Sequence, residues 1–317
     1  MIASIDTLGK TDPAVIANKP PRRQYRQIDV EYNPAIRTLW TYMKPIGAPC
    51  FNLGILEELR HNDTEFEKNG GKILFNDEFC PVDYYVVASR NPRIFNFGGD
   101  LALFIMLIKS RDRDGLMQYA RLCIDCIFSR VLNYQTSAIT LSLVRGEALG
   151  GGFETALASN MIIAEKSARM GFPEIIFNLF PGMGAYSMLA RRVGSRLAEE
   201  LIASGNIYRA EELHKMGVID ILVPDGEGEK AVYDLVAQQD KRLNGLRAMY
   251  ECRRHFQPVN YKEFIDIATI WVDASLRLND KDLQMMSRLV RSQMRNKEQH
   301  LQEPGGKRSR ELELALA

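Results

Sequence analysis

The chain has 317 residues, 46% of them hydrophobic, with 41 Lys and Arg against 40 Asp and Glu. This composition excludes a disordered chain, and the near-neutral balance excludes a global electrostatic attraction to nucleic acid or to an anionic membrane. No apolar run reaches membrane-spanning length, and the first residues lack the continuous apolar stretch of a secretory signal, so the expected location is the cytoplasm.

Residues 1–27 are rich in proline and charge around Lys19-Pro20-Pro21-Arg22-Arg23 and are expected to form a flexible leader or an arm that docks on another subunit. VEYNPAIRTLWTYMK alternates as strands do, and NLGILEELRHNDTEFEKN reads as a helix with Asn52 as its N-cap. KILFN and DYYVVASRN continue a β-rich stretch. It ends at Phe95-Asn96-Phe97-Gly98-Gly99-Asp100, before the helix LALFIMLIKS. Two readings are open at Gly99. Its N–H is a donor for an oxyanion, or the glycines serve only the bend between strand and helix. Asp100 reads as the helix N-cap.

A long helix follows through Arg130, and SAITLSLVRGEALG reads as one apolar strand that delivers Gly150-Gly151-Gly152 to a sheet edge. The glycines permit close approach to backbone N–H groups, and the helix FETALASNM behind them puts the positive end of its dipole there. Glu154 lies in the first turn of that helix. Glu174 follows in a Phe-Pro-Glu-Ile setting, where a loop can return it to the same pocket for paired acid/base work.

MIIAE reads as a strand and AYSMLARRVG as an amphipathic helix. RLAEELIASG and RAEELHKMG are two helical pieces with a turn at Gly205-Asn206, and VIDILVP is a strand stopped by Pro224. The order of strands and helices predicts an α/β core over residues 28–228, a C-terminal helical region over 229–296 and a charged tail over 297–317. Trp271 reads as helix packing or as a wall of an acyl-chain pocket.

Gly182-Met183-Gly184 is no dinucleotide fingerprint, because position 187 is Ser and no clear strand precedes it. Cys123 and Cys126 form a lone CxxC inside an apolar helical pattern, and the four histidines are scattered, so no metal site is expected.

FNFGGD at 95–100, EALGGGFE at 147–154, FPEI ending at Ile175 and LFPGMGAYSMLARRVG at 179–194 together resemble the crotonase, or enoyl-CoA hydratase/isomerase, superfamily. The resemblance runs from about Asp29 to Arg295. It implies a spiral of ββα repeats, a homotrimer or hexamer, and C-terminal helices that cover the active site. By position, Gly99 and Gly151 match the oxyanion-hole donors, and Glu154 and Glu174 match the acid/base pair. The lysine usual after the Gly-Asp segment is replaced by Leu101-Ala102-Leu103, a departure from the family's coenzyme A pattern.

FNFGGDLALF, YARLCID, GEALGGGFETAL, PEIIFNLFPGMGAYS and IWVDASLRL further resemble the diffusible signal factor synthases, the RpfF type of bacterial crotonase. That subgroup implies a 3-hydroxyacyl thioester dehydratase with thioesterase activity, making a cis-2-unsaturated fatty acid signal for quorum sensing. The substrate would ride on acyl-carrier protein or coenzyme A, with no other cofactor, and the receiver domain of a sensor kinase is an implied partner. An ordinary enoyl-CoA hydratase/isomerase and a sensor-binding signalling protein are the rivals. Phe97, Phe153, Met183 and Trp271 are the expected pocket walls.

Overall fold

The computed structural model describes residues 24–302; the expected leader lies outside the described residues apart from 24–27, and the expected tail apart from 297–302. The chain opens on an antiparallel pair, β1 (Ile28–Asn33) and β2 (Thr38–Met43), followed by α1 (Leu53–Lys68). Asn52 caps α1 as its sequence suggests, its side chain accepting from Ile55 N–H. A short hairpin, β3 (Lys72–Phe75) and β4 (Glu78–Pro81), leads into the repeating part of the fold.

There the chain writes two strands and then helix, three times. The first unit is β5 (Tyr84–Ser89) and β6 (Ile94–Asn96), with helices α2 (Leu101–Lys109) and α3 (Arg113–Val131). The second is β7 (Ile139–Val144), β8 (Glu147–Leu149) and α4 (Gly151–Leu157). In the third, β9 (Met161–Glu165) and β10 (Arg169–Gly171) pass through a 3-10 turn at Pro173–Phe177 into α5 (Ala185–Val193). These are the ββα repeats that the sequence resemblance implies.

The next elements are α6 (Ser195–Ala203), β11 (Ile207–Arg209), α7 (Ala210–Lys215) and β12 (Ile221–Val223). Helices α8 (Gly228–Gln239), α9 (Leu243–Phe256), α10 (Tyr261–Ser275) and α11 (Asp280–Gln302) complete the described chain. The last helix continues to Gln302, past position 297 where a tail was expected.

Each repeat sends its first strand to one sheet and its second to another. The six-stranded sheet runs β1-β2-β5-β7-β9-β12, and the four-stranded sheet runs β11-β10-β8-β6. Strands β2, β5 and β7 are buried along their whole length, which suits the near-continuous apolar runs TLWTYM, YYVVAS and ITLSLV. The stretch read as one strand, SAITLSLVRGEALG, is therefore two strands in two sheets. The break falls at Gly146, where φ is +70° and a Cβ would collide with the Arg93 carbonyl. RAEELHKMG is helical over α7 as expected, and the connection before it, read as a turn, also carries the strand β11.

What matters for function is the order β10-β8-β6. Both neighbours of β8 run parallel to it, so three loops leave the same edge side by side. They carry Gly98 and Gly99, the glycine run 150–152, and Glu174. Ligands collect at the carboxyl ends of parallel strands because chain turns there and exposes its N–H groups.

Candidate active site

The first loop is held from several directions. Phe51 N–H donates to the Gly98 carbonyl at 2.8 Å, Gly98 N–H donates to Asn96 Oδ1 at 2.7 Å, and Phe97 N–H donates to the Pro49 carbonyl at 2.8 Å. Tyr119 on α3, 3% exposed, adds two bonds: its hydroxyl donates to the Phe51 carbonyl at 2.6 Å and accepts from Asp100 N–H at 3.2 Å. Asp100 caps α2 through Leu103 N–H.

The second loop lies against the first. A Cβ on Gly98 would sit 2.7 Å from the Gly151 nitrogen, and one on Gly151 would sit 3.5 Å from the Gly99 nitrogen. Neither the Gly99 nor the Gly151 N–H donates to a protein acceptor among the described residues. Gly151 is the first residue of α4, so the positive end of that helix is part of the same corner.

Two carboxyls complete the cavity. Glu154, 1% exposed, follows Gly151 by three residues and shares its helix face. Its Oε1 accepts from Met183 N–H at 2.7 Å and Ala185 N–H at 2.9 Å. Burial nevertheless pushes its pKa up to about 8, with those two bonds pulling the other way. Glu174 packs against Gly150, whose missing Cβ leaves room for Oε1, while Oε2 is buried without a partner. Burial first, and the charge of Glu154 second, push Glu174 up to about 8.

These carboxyls, the two glycines, Phe97, Met183 and Trp271 all line one cavity of about 920 Å³ including its open mouth. Trp271 comes from α10 and Leu289 from α11, so the C-terminal helices wall the site. Phe153, expected on the wall, is not there. One position before Glu154 on the helix it points away, and it stacks on Phe172 with centroids 4.9 Å apart. Sequence reasoning missed Phe104 and Tyr119, which are indistinguishable from core residues by pattern. Among the described residues no group of three or more His, Cys, Asp or Glu side chains is placed to hold a metal ion, and no helix is long and apolar enough to cross a membrane.

Two measurements probe this geometry. Tyr119→Phe leaves the Phe51 carbonyl and Asp100 N–H without that hydroxyl, loosening the Gly99 loop; we expect kcat to fall roughly tenfold with KM little changed. Steady-state kinetics check the split, since a purely structural loss would lower the folded fraction instead.

The second concerns Glu154 and stability. Its carboxyl titrates near 4.5 in the unfolded chain and near 8 in the folded one. The group's contribution is therefore fully present below pH 4.5 and is lost as pH rises toward 8, at up to about 1.4 kcal/mol per pH unit. Glu154→Gln keeps an oxygen for both N–H donors and removes the titration. Its Tm is expected to gain on that of the parent as pH rises from about 5 to about 8, and parallel thermal melts would contradict it.

The enoyl-CoA hydratase/isomerase family model matches residues 82–252. Fatty acid oxidation complex subunit alpha of Pseudomonas syringae pv. tomato is 32% identical over 152 residues, 48% of this chain and 20% of that relative. The mevalonyl-coenzyme A hydratase of Beauveria bassiana is 38% identical over 99 residues, 31% of this chain and 35% of the relative. Matches to these two curated relatives thus span about a fifth and about a third of their lengths. The structure of Pseudomonas aeruginosa DspI superposes with a TM-score of 0.62 at 22% identity, covering 76% of this chain and 91% of DspI.

Proposed function

The chain belongs to the enoyl-CoA hydratase/isomerase family, and from that premise we propose that it removes water from a 3-hydroxyacyl thioester. The observation that carries this reading is the meeting of two buried carboxyls with two unengaged N–H donors at one cavity. The thioester oxygen sits between Gly99 and Gly151, where negative charge grows as the C2 proton leaves. One preorganised donor of this kind is worth about 2.7–4 kcal/mol in the transition state.

The surroundings divide the acid and base roles. Two N–H bonds favour the anion of Glu154, so it ionises first and takes the C2 proton. Glu174, with an unpartnered oxygen beside that charge, keeps its proton and gives it to the departing C3 hydroxyl. The C2–H and C3–O bonds break, the C2–C3 double bond forms and water leaves. Because the productive pair holds one proton, kcat should rise and then fall with pH around 8, the two apparent constants belonging to the pair. A flat profile through that region would contradict the assignment.

The finer reading is synthesis of a cis-2-unsaturated fatty acid signal from an acyl-carrier-protein thioester, with hydrolysis releasing the free acid. Its support is the run FNFGGDLALF, in which Leu101-Ala102-Leu103 stands where coenzyme A users carry a lysine, together with GEALGGGFETAL. In hydrolysis water adds to the carbonyl held by the same two N–H groups, a glutamate takes its proton, and the carrier thiol leaves. This scheme needs no metal or further cofactor. Self-association into a trimer or hexamer is part of the proposal, supported by the exposed Met249, Phe256 and Ile270 on α9 and α10. A sensor kinase receiver domain is a proposed regulatory partner.

A second reading, an ordinary enoyl-CoA hydratase, is favoured by the relatives' own descriptions as a fatty acid oxidation subunit and a coenzyme A hydratase. Mass spectrometry of the protein incubated with matched 3-hydroxyacyl-carrier-protein and 3-hydroxyacyl-CoA separates the two. Free cis-2-enoic acid, made chiefly from the carrier substrate, supports the synthase; enoyl-CoA without hydrolysis supports the hydratase.

A further inference from the structure

A cavity of about 300 Å³ opens at the far end of α4 from the oxyanion corner. Gly151 begins that seven-residue helix at the reacting site, and Leu157, Ala158, Ser159 and Asn160 at its close line this second space. The helix separates the two by about 10 Å, and no residue lines both.

Four arginines face it, Arg191 and Arg192 from the last turn of α5 and Arg253 and Arg254 from α9. Architecture accounts for three of them. Arg191 holds Glu263 with two bonds of 2.8 Å and the Pro258 carbonyl with a third. Arg192 donates to the Val218 carbonyl and to Asp220 Oδ2, and at 3.3 Å to the Ser159 carbonyl beyond α4. Arg254 spends one donor on the Leu132 carbonyl that closes α3.

Arg253 has no such task. Its guanidinium lies over the Tyr250 ring at 4.9 Å and makes no side-chain hydrogen bond or ion pair among the described residues. Partial desolvation first, and the charge of Arg192 next, pull its pKa below the usual range. Only two carboxylates, Asp220 and Glu263, answer four guanidinium groups, and both are already engaged, Asp220 also by Ile162 N–H. Two positive charges are left over, which is close to the charge that a phosphate monoester brings at neutral pH. Guanidinium donors in excess suit phosphate oxygens. Beside them Val131, Leu157, Met188 and Val259 supply apolar wall that a phosphate ion alone would not cover.

We propose that this cavity is a binding site for the phosphate group of a small phosphorylated molecule, held by Arg253 and the free donors of Arg254, with the apolar wall taking its organic part. The inference is independent of the reaction assigned to the glutamates, because it uses none of their residues.

Calorimetric titration of the full chain at low ionic strength, with inorganic phosphate and with phenyl phosphate as probes, tests it. Both are expected to bind. Tighter binding of phenyl phosphate assigns the site to a phosphate ester, and equal binding assigns it to the free ion. Arg253→Glu is expected to weaken both probes by at least about tenfold, the loss of one charge-assisted contact. Since Arg253 bonds nothing else, the variant should melt with the parent. Gln257→Glu sets a carboxylate in the lining without touching an arginine and should weaken both probes as well. Absence of heat with either probe overturns the inference, as does affinity unchanged in both variants. Loss of self-association in Arg253→Glu, with neither probe bound by the parent, would assign the arginines to a contact between copies and overturn it too.

Discussion

Glu154→Gln and Glu174→Gln are each expected to lower kcat on a 3-hydroxyacyl thioester by about 10²–10⁴-fold. The substitution keeps shape and hydrogen-bonding oxygen. At position 154 the amide oxygen still accepts from Met183 and Ala185 N–H, so α5 stays anchored to α4. What disappears is the capacity to take up or release a proton. KM should move little, because in the proposed mechanism the thioester oxygen is held by Gly99 and Gly151 and the acyl group by the apolar walls of the cavity. If the two carboxyls act in one proton-transfer sequence, the double variant will be scarcely worse than either single one, as groups that work as a unit are grossly non-additive. Near-parental turnover in either variant removes that carboxyl from the mechanism. Melting curves close to or above that of the parent would show that the loss is chemical rather than structural.

The parts of this site that the sequence discloses are those set by short-range geometry. Gly151 and Glu154 are three residues apart on a helix announced by a glycine run, so their common face follows from helical spacing. The same rule, applied with care, would have removed Phe153 from the pocket wall, since its neighbour two positions back and its neighbour one position on already face the cavity. Gly99 is half legible: a glycine bend before a helix is equally good as a turn and as a donor, and only the contact between Gly98 and the Gly151 nitrogen decides where it points.

Glu174 depends on something that no periodicity carries, the placement of β10 beside β8. Both are three-residue strands, too short for an alternation to register, and one was absorbed into a longer apparent strand ending at the glycine run. Tyr119 is hidden for a different reason. Its phenol lies in an apolar stripe of α3 and reads as packing, and its hydrogen bonds go to backbone groups 68 and 19 residues away.

Gly98→Ala is expected to damage stability and chemistry together, which sets it apart from the glutamate variants. The residue has φ +87°, a region that disfavours any side chain with a Cβ. The added methyl would also lie 2.7 Å from the Gly151 nitrogen and 2.7 Å from the Leu149 carbonyl, both of them backbone. No rotamer change relieves such a contact, so the two loops must separate. The backbone strain costs about 1–3 kcal/mol, and the melting temperature falls accordingly. Separation also spoils the corner where the Gly99 and Gly151 N–H groups converge, and loss of one donor's alignment lowers kcat by about 10²–10³-fold. Thermal melts and single-turnover kinetics on the same preparation read the two effects separately. A variant that melts lower yet turns over at the parental rate would show that the two N–H groups do not hold the reacting oxygen, whatever else the loops do.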